Sequence, residues 1–503
     1  MESLGDEPWD VVICGTGLSQ SLLALALSRS KKRILHLDPN DYYGEHEAAF
    51  SLQEAESWAN THAGASAAQD LNTKQTIFNS ASTWKHPEAA EKGLSSPRAY
   101  ALALAPQIIH TRSELLAQLV SSRAYKQVEF LAVGSFFVFD AEASDGSSKL
   151  ARIPSSREDV FSTKSIPARS KRSLMKFLKF VIDYDSDEQR PLWQGQEQKP
   201  LSEFLVSEFK LDRNLQKYIL ALTLTLDGHV TVVDGLATIQ RHLTSTGLFG
   251  PGFCAVYPKW GGSSEIAQVA CRAGAVGGGI YMLDTRIQNN ESKDDEISLS
   301  LSNELCVRTT KLVTSQNEAA PETQTITRLV AVVNSPLRTV FEVVVEGAPT
   351  PAVAVVAFPG SSTSPPDSPI YALVHSSETG ECPAGQSVIY LTTLAGSQSI
   401  QRLESALNDL LTAATPAGAA TPVCLYKLQY EQSLTARKPE NTVHGKVSTF
   451  AFPSPSLSLA FDDSCLAPVK DAWKLVMGAD VPEDEYMVFQ EREGVGEDDE
   501  IYD

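Results

Sequence analysis

Gly15 and Gly17, set just behind the apolar run 9–14, with Asp38 closing a second such run 23 residues after Gly15, are the residues whose types and spacing point most directly to chemistry. In a strand–turn–helix unit, such glycines let the backbone turn sharply and bring its N–H groups up to a pyrophosphate, while the acid accepts hydrogen bonds from ribose hydroxyls. Taken literally this is a flavoprotein. Two features oppose that reading. The third glycine of the fingerprint, which allows close helix-to-strand packing, is Gln20 here, and Phe461-Asp462-Asp463-Ser464 lacks the glycine of a second flavin contact. Gly15 and Gly17 therefore read either as a cofactor turn or as a tight turn kept in an inherited fold, and Asp38 either as a ribose ligand or as a strand terminator. The second reading of each is preferred, because a fold does not fix a function. No bound cofactor is expected.

Other chemistry is sparse. The seven cysteines, Cys14, Cys254, Cys271, Cys306, Cys382, Cys424 and Cys465, are odd in number, scattered, and include no C-x-x-C pair, a pattern that predicts reduced thiols in the cytosol. A structural zinc site calls for closely spaced ligand pairs, and the nine histidines supply none beside these cysteines, so no metal is expected. No Ser/His/Asp or Cys/His set stands at a recognisable motif spacing, and no catalytic residue is assigned. The net charge of −20 argues against a nucleic-acid partner, which needs clustered Lys and Arg, and an anionic membrane would repel such a chain. Residues 1–8 are acidic, and the early apolar run 22–27 falls far short of the ~20 residues a membrane span requires.

The elements that must position these residues follow from periodicity. A strand at 9–14, a helix at 18–29 and a strand at 33–37 form a βαβ unit. From 56 to 96 the composition shifts to Ala, Ser, Gln and Thr with little period, which predicts an inserted, partly disordered connection. Strand character returns at 128–139. Helical spacing at 170–184, 201–209, 215–226 and 234–244 predicts a separate all-helical unit, after which a Gly-rich stretch at 256–287 and β-type runs at 299–345 resume the first domain. The expected organisation is α/β: a discontinuous dinucleotide-binding-type domain over 1–152 and 251–480, a helical domain over 153–250, and an acidic tail over 481–503 expected to be mobile.

Two longer stretches carry a resemblance. Trp9-Asp10-Val11-Val12-Ile13-Cys14-Gly15-Thr16-Gly17-Leu18, with Leu35-His36-Leu37-Asp38 and Asp41-Tyr42-Tyr43-Gly44, resembles the opening of the superfamily of Rab GDP-dissociation inhibitors and Rab escort proteins. Tyr257-Pro258-Lys259-Trp260-Gly261, Glu265-Ile266-Ala267-Gln268, Arg272 and Gly278-Gly279-Ile280-Tyr281 are similar to its second signature. Glu45 departs from the pattern, standing where the family has a second glycine, and one residue is inserted before Glu265. Ser28-Arg29-Ser30, Ala49-Phe50-Ser51 with Trp58, and 156–161 with 171–178 look more like the escort proteins than the recycling inhibitors.

The resemblance implies a flavoprotein-like fold without flavin, a platform for GDP-bound Rab GTPases formed by Tyr43, Glu265 and Arg272, and docking on the Rab geranylgeranyltransferase heterodimer through Phe161 and Arg172. From the residues alone, Glu265 and Arg272 are equally a pair on one helix face, and Phe161 equally a ring tucked under its own helix. The resemblance also implies that the helical domain shelters geranylgeranyl lipid. Leu174, Phe177, Leu178, Val181, Ile219, Leu222 and Leu226 are candidates for that groove, although positions of this kind are more often bundle core, since periodicity cannot separate the two. The expected function is a non-catalytic cytosolic accessory that presents Rab proteins for prenylation and delivers them to membranes. The alternatives are an inhibitor that recycles Rabs and a flavin-dependent oxidoreductase. The strand-like run 425–434 is a candidate for holding the Rab C-terminus.

Overall fold

Val11, Val12 and Ile13, like Ile34, Leu35 and Leu37, are buried residues of short strands, and strands apolar on both faces need cover on both sides of a parallel sheet. The chain supplies it. In the computed structural model, which describes residues 4–64, 77–141, 149–154, 160, 168–293, 295–316, 323–343, 345–360, 367–435, 438–454, 456–478 and 480–490, a six-stranded sheet runs in the order Ile280–Met282, Ile34–Leu37, Val11–Cys14, Lys311–Ser315, Val447–Phe452, Glu440–His444. Its first five strands are parallel and the last joins antiparallel, with Val12 opposite both Leu35 and Leu312. Strand alternation then assigns the faces. Val11, Ile13 and Ile34 face a core formed with helices Leu18–Leu27, Ser263–Val276 and Leu466–Met477. Val12, Leu35 and Leu37 face the three-stranded meander 287–309 through Ile297, Leu299 and Val307.

A second, ten-stranded sheet was not foreseen as a separate layer. Its order is Phe78–Lys85, Cys424–Thr435, Thr323–Val333, Ser387–Leu394, Ile370–Ser376, Val353–Phe358, Phe130–Phe139, Ala255–Pro258, Ile109–His110, with Leu150–Arg152 paired to Phe130–Phe139. Along Thr323–Val333 the faces alternate again: Leu329, Ala331 and Val333 pack under helix Ser399–Ala413, while Ile326, Val330 and Val332 join the main core. Helices Ala168–Ile182, Leu201–Phe209, Arg213–Ala221 and Val232–Ser245 sit on that second face, close to the helical spans expected from spacing.

Two expectations need correction. The segment 56–96 is not simply a connection: Leu52–Thr61 is a helix opened by a capping box, in which Ser51 Oγ accepts from Glu54 N–H and Glu54 from Ser51 N–H, and Phe78–Lys85 is an edge strand. Trp58 is buried against Phe50, Phe78 and Tyr430, so a segment polar in composition is held by one aromatic anchor. Residues 65–76 lie outside the described residues. The strand expected at 425–434 exists as Cys424–Thr435, but both its edges are taken by neighbours, leaving none for a bound peptide. Among the described residues, no helix is long and apolar enough to cross a membrane.

Candidate functional site

The glycine turn ends the first strand and leads into helix Leu18–Leu27. Gly15 has φ +101°, a conformation that L side chains rarely adopt, and its carbonyl accepts a 2.5 Å hydrogen bond from His36 Nε2–H. Asp38, fully buried, is consumed within the chain. One carboxylate oxygen accepts from Thr16 N–H (2.8 Å) and Thr16 Oγ1–H (2.5 Å), and the other accepts from Asn40 N–H at 2.7 Å. Thr16 Oγ1 in turn accepts from Gly44 N–H at 2.9 Å, which folds the 41–47 loop back over the turn.

That loop fills the cradle. A Cβ added at Gly15 would stand 2.3 Å from Glu45 Oε1, and one added at Gly17 would stand 2.9 Å from Glu45 Oε2. Leu18 N–H, at the helix N-terminus where a phosphate would be bound, donates to Glu47 Oε2 at 3.3 Å. Gln20 also reaches across the turn and donates to Ser315 Oγ. Burial, with Asp38 and Glu47 close by, drives the Glu45 carboxyl well above the usual range, and burial lifts Glu47 to about 7. A pyrophosphate in this place would meet two carboxyl groups and the space they occupy, so these residues do not fit a dinucleotide. The second flavin-contact region is likewise committed elsewhere. Asp463 accepts from Ser113 Oγ–H at 2.5 Å and pairs with Arg241 at 3.0 Å, joining the sheet domain to the helical unit.

Tyr43, on the same loop, is half-buried, its ring 6.2 Å from that of Tyr281. Burial raises its phenol, with Cys271 and Asp38 contributing. Glu265 and Arg272 share one face of helix Ser263–Val276, two turns apart, Glu265 partly exposed and Arg272 exposed. Desolvation raises the Glu265 carboxyl and the Arg272 charge opposes that shift. Tyr43 thus lies beside the helix that carries the other two. Trp260, which sequence reasoning did not single out, is 53% exposed at the entry to the same helix, with Lys259 Nζ 5.2 Å over its ring. An aromatic residue among the glycines of that signature was the available signal. Tyr257 of the signature is structural: buried, it donates to Glu381 at 2.7 Å.

Arg172 is exposed on helix Ala168–Ile182, whereas Phe161 lies outside the described residues. Leu174, Phe177, Val181, Ile219, Leu222 and Leu226 are buried within the main core, and Leu178 packs partly buried against it. Leu222 differs from the others in also lining a cleft with Phe136, Ile153, His242, Leu243 and Phe253 between sheet and helices. Sequence spacing gave no metal ligands, yet tertiary contact gathers His110, His242 and Cys254, with ligand atoms within 4.8 Å of one another.

A family profile described as GDP dissociation inhibitor matches residues 5–66 and 58–342, more than half of the 503 residues. The chain belongs to the GDP dissociation inhibitor family. This family member is 29% identical over 409 residues to the Rab proteins geranylgeranyltransferase component A of Saccharomyces cerevisiae, a match covering 80% of the chain and 64% of that protein. It is 26% identical over 538 residues to Rab escort protein 1 of Arabidopsis thaliana, covering 94% and 93%. The chain spans less than two thirds of the yeast protein and of its Candida albicans counterpart, 64% and 62% of their lengths. Its fold is similar to that of a Rab GDI from Plasmodium falciparum, with a TM-score of 0.64 at 18% identity over 93% of this chain and 98% of that one. It is also similar to an oxidoreductase from Methanosarcina mazei, with a TM-score of 0.52 at 12% identity over 87% and 93%. The α/β flavoprotein-type fold expected from the βαβ unit is thereby shown.

Proposed function

We propose that this chain is a Rab escort protein: it binds newly made, GDP-bound Rab GTPases, presents their C-terminal cysteines to Rab geranylgeranyltransferase, keeps the prenylated product in solution in the cytosol and delivers it to membranes. The observation that carries this reading is the self-filled cradle. Glu45 and Glu47 occupy the place of a pyrophosphate, while Tyr43, two residues before Glu45 on the same loop, stands beside the helix bearing Glu265 and Arg272. A sheet that has given up its cofactor site is left with an outward face suited to a folded protein. Arg272 can make charge-assisted, bidentate hydrogen bonds, and the switch loops of a small GTPase are ordered differently by GDP and GTP, which favours one nucleotide state.

In this reading the chain contributes no catalytic group and no flavin or metal to prenyl transfer. Arg172, with Phe161, meets the transferase, where aromatic and Arg anchors carry interface energy. The helical unit shelters the lipid, since ~0.8 kcal/mol per exposed CH₂ makes a prenylated tail insoluble without cover. The similarity to proteins named component A and escort protein supports the transferase partner over simple recycling of Rabs. The test is a reconstituted assay with Rab, transferase and radiolabelled geranylgeranyl diphosphate, with this chain added or omitted. Prenylation is expected to require the chain, Arg272→Ala to weaken Rab binding at least ~10-fold, and Arg172→Ala to weaken transferase binding only. Equal prenylation without the chain, or a flavin spectrum in the purified protein, overturns the reading.

A further inference from the structure

Three side chains from distant parts of the sequence converge where the helical unit meets the edge of the ten-stranded sheet. His110 ends the strand Ile109–His110, Cys254 immediately precedes the strand Ala255–Pro258 that pairs with it, and His242 lies in the last turn of helix Val232–Ser245. All three are at least 96% buried. His242 Nδ1 stands 3.6 Å from Cys254 Sγ, and the two imidazole rings are 5.7 Å apart, edge to face. Around them the seam is already pinned by backbone contacts: Thr111 Oγ1–H donates to Ser245 O at 2.7 Å, and Arg112 Nε–H donates to Thr244 O at 2.8 Å.

One feature stands out. Among the described residues, both ring nitrogens of His110 are buried without a hydrogen-bond partner. Leaving buried polar atoms unmade is costly, and such groups call for a missing partner. We propose that His110, His242 and Cys254 form a site for a single soft divalent cation, zinc being the natural occupant, that staples the helical unit to the sheet. The donor set is two imidazoles and a thiol with no carboxylate, which selects zinc-type ions over magnesium or calcium. With ordinary Zn–N bonds of ~2.0–2.1 Å and Zn–S bonds of ~2.3 Å, the N···S edge of a tetrahedral site is about 3.6 Å, the separation that His242 and Cys254 already show. All the ligand atoms lie within 4.8 Å of one another, and about 1–1.5 Å of side-chain movement closes the set to tetrahedral edges. His242 and Cys254 also line the cleft with Phe136, Leu222 and Phe253.

Protonation is compatible with this. Burial holds both imidazoles neutral, His242 down to about 4 and His110 well below the usual imidazole range with His242 and Arg241 adding to the effect, so each has a lone pair to give. Burial pushes the Cys254 thiol up to about 12, so it is protonated without metal. Binding therefore exchanges a proton for the ion: the S–H bond breaks, a metal–thiolate bond forms, and the proton leaves to solvent.

The full chain, stripped with chelator, is titrated with Co²⁺ and then Zn²⁺. Wild type is expected to take up a single Co²⁺ with a near-ultraviolet thiolate-to-cobalt band, to lose that band as Zn²⁺ displaces it, to release about one proton, and to melt at a higher temperature with Zn²⁺ than without. Cys254→Ser abolishes the band, His110→Gln and His242→Gln each weaken binding at least ~10-fold, and Cys306→Ser, far off in the meander, changes nothing. Folded wild-type chain that retains no cobalt, or a band that survives in Cys254→Ser, overturns the proposal. Because the first result needs no variant, misfolding of a mutant cannot rescue it.

Discussion

Glu45 and Glu47 set two buried carboxyls against the glycine turn, and that placement has a measurable signature. Burial lifts Glu47 from 4.5 to about 7. A carboxyl whose folded value is raised contributes stability fully below its unfolded value and loses it as pH rises through the folded value. Stability attributable to Glu47 is thus expected to fall by about 3 kcal/mol between about pH 4.5 and 7 and to change no further above that. Glu47→Gln keeps an acceptor for Leu18 N–H and removes the slope. Urea unfolding should find the variant equal to wild type near pH 4.5 and more stable at pH 8; a pH-independent difference would contradict the burial argument. At Gly15, where φ is +101° and a Cβ would meet Glu45, Gly15→Ala is expected to destabilise by about 1–3 kcal/mol in the same measurement.

At the scale of elements, capping and buried polar wiring hold the pieces that the motifs only mark. Ser51 caps helix Leu52–Thr61, which seats Trp58 in the core, so Ser51→Ala should cost about 1 kcal/mol. The strands Ala255–Pro258, Ile370–Ser376 and Ser387–Leu394 are joined through Glu381, which accepts from Tyr257 Oη–H (2.7 Å), His375 Nδ1–H (2.7 Å) and Tyr390 Oη–H (2.9 Å) with no exposure of the acid. Tyr257→Phe strips one oxygen of its donor. The expected loss is about 1–3 kcal/mol in thermal or urea unfolding, with the helix Ser263–Val276 left in place. An unchanged midpoint would show that water replaces the phenol.

For the whole molecule, the main core is continuous from the helical unit into the ten-stranded sheet: Phe177, Phe204 and Leu236 share it with Val133, Tyr371 and Tyr430. The Arg241–Asp463 pair and the Thr111–Ser245 contact cross the same seam. Among the described residues the helical unit shares its core with the sheet, and calorimetry of the full chain should show one cooperative transition rather than two. Leu236→Ala, which empties part of that shared core, should lower the transition by about 2–5 kcal/mol in every probe, including signals from the sheet. Two resolved peaks, only one of them moved by the mutation, would contradict a common core.

Several features were legible from residues alone because they rest on local rules. The βαβ unit follows from apolar period and the glycine turn, the helical spans at 170–244 from 3.6-residue spacing, and the loss of the third fingerprint glycine at Gln20 from simple inspection. The Ser51-x-x-Glu54 box was also written locally, though polar composition around it masked the helix. What no local rule can give is which distant side chains share a place. Glu45 reads only as a departure from a glycine pattern until Thr16 and Gly44 fold it onto Gly15. His110, His242 and Cys254 read as unrelated until a helix is laid against a sheet edge. Periodicity fixes which face of an element is apolar, but only the packing of one element on another decides what that face meets, and with it whether a carboxyl, an imidazole or a leucine is surface, core or site.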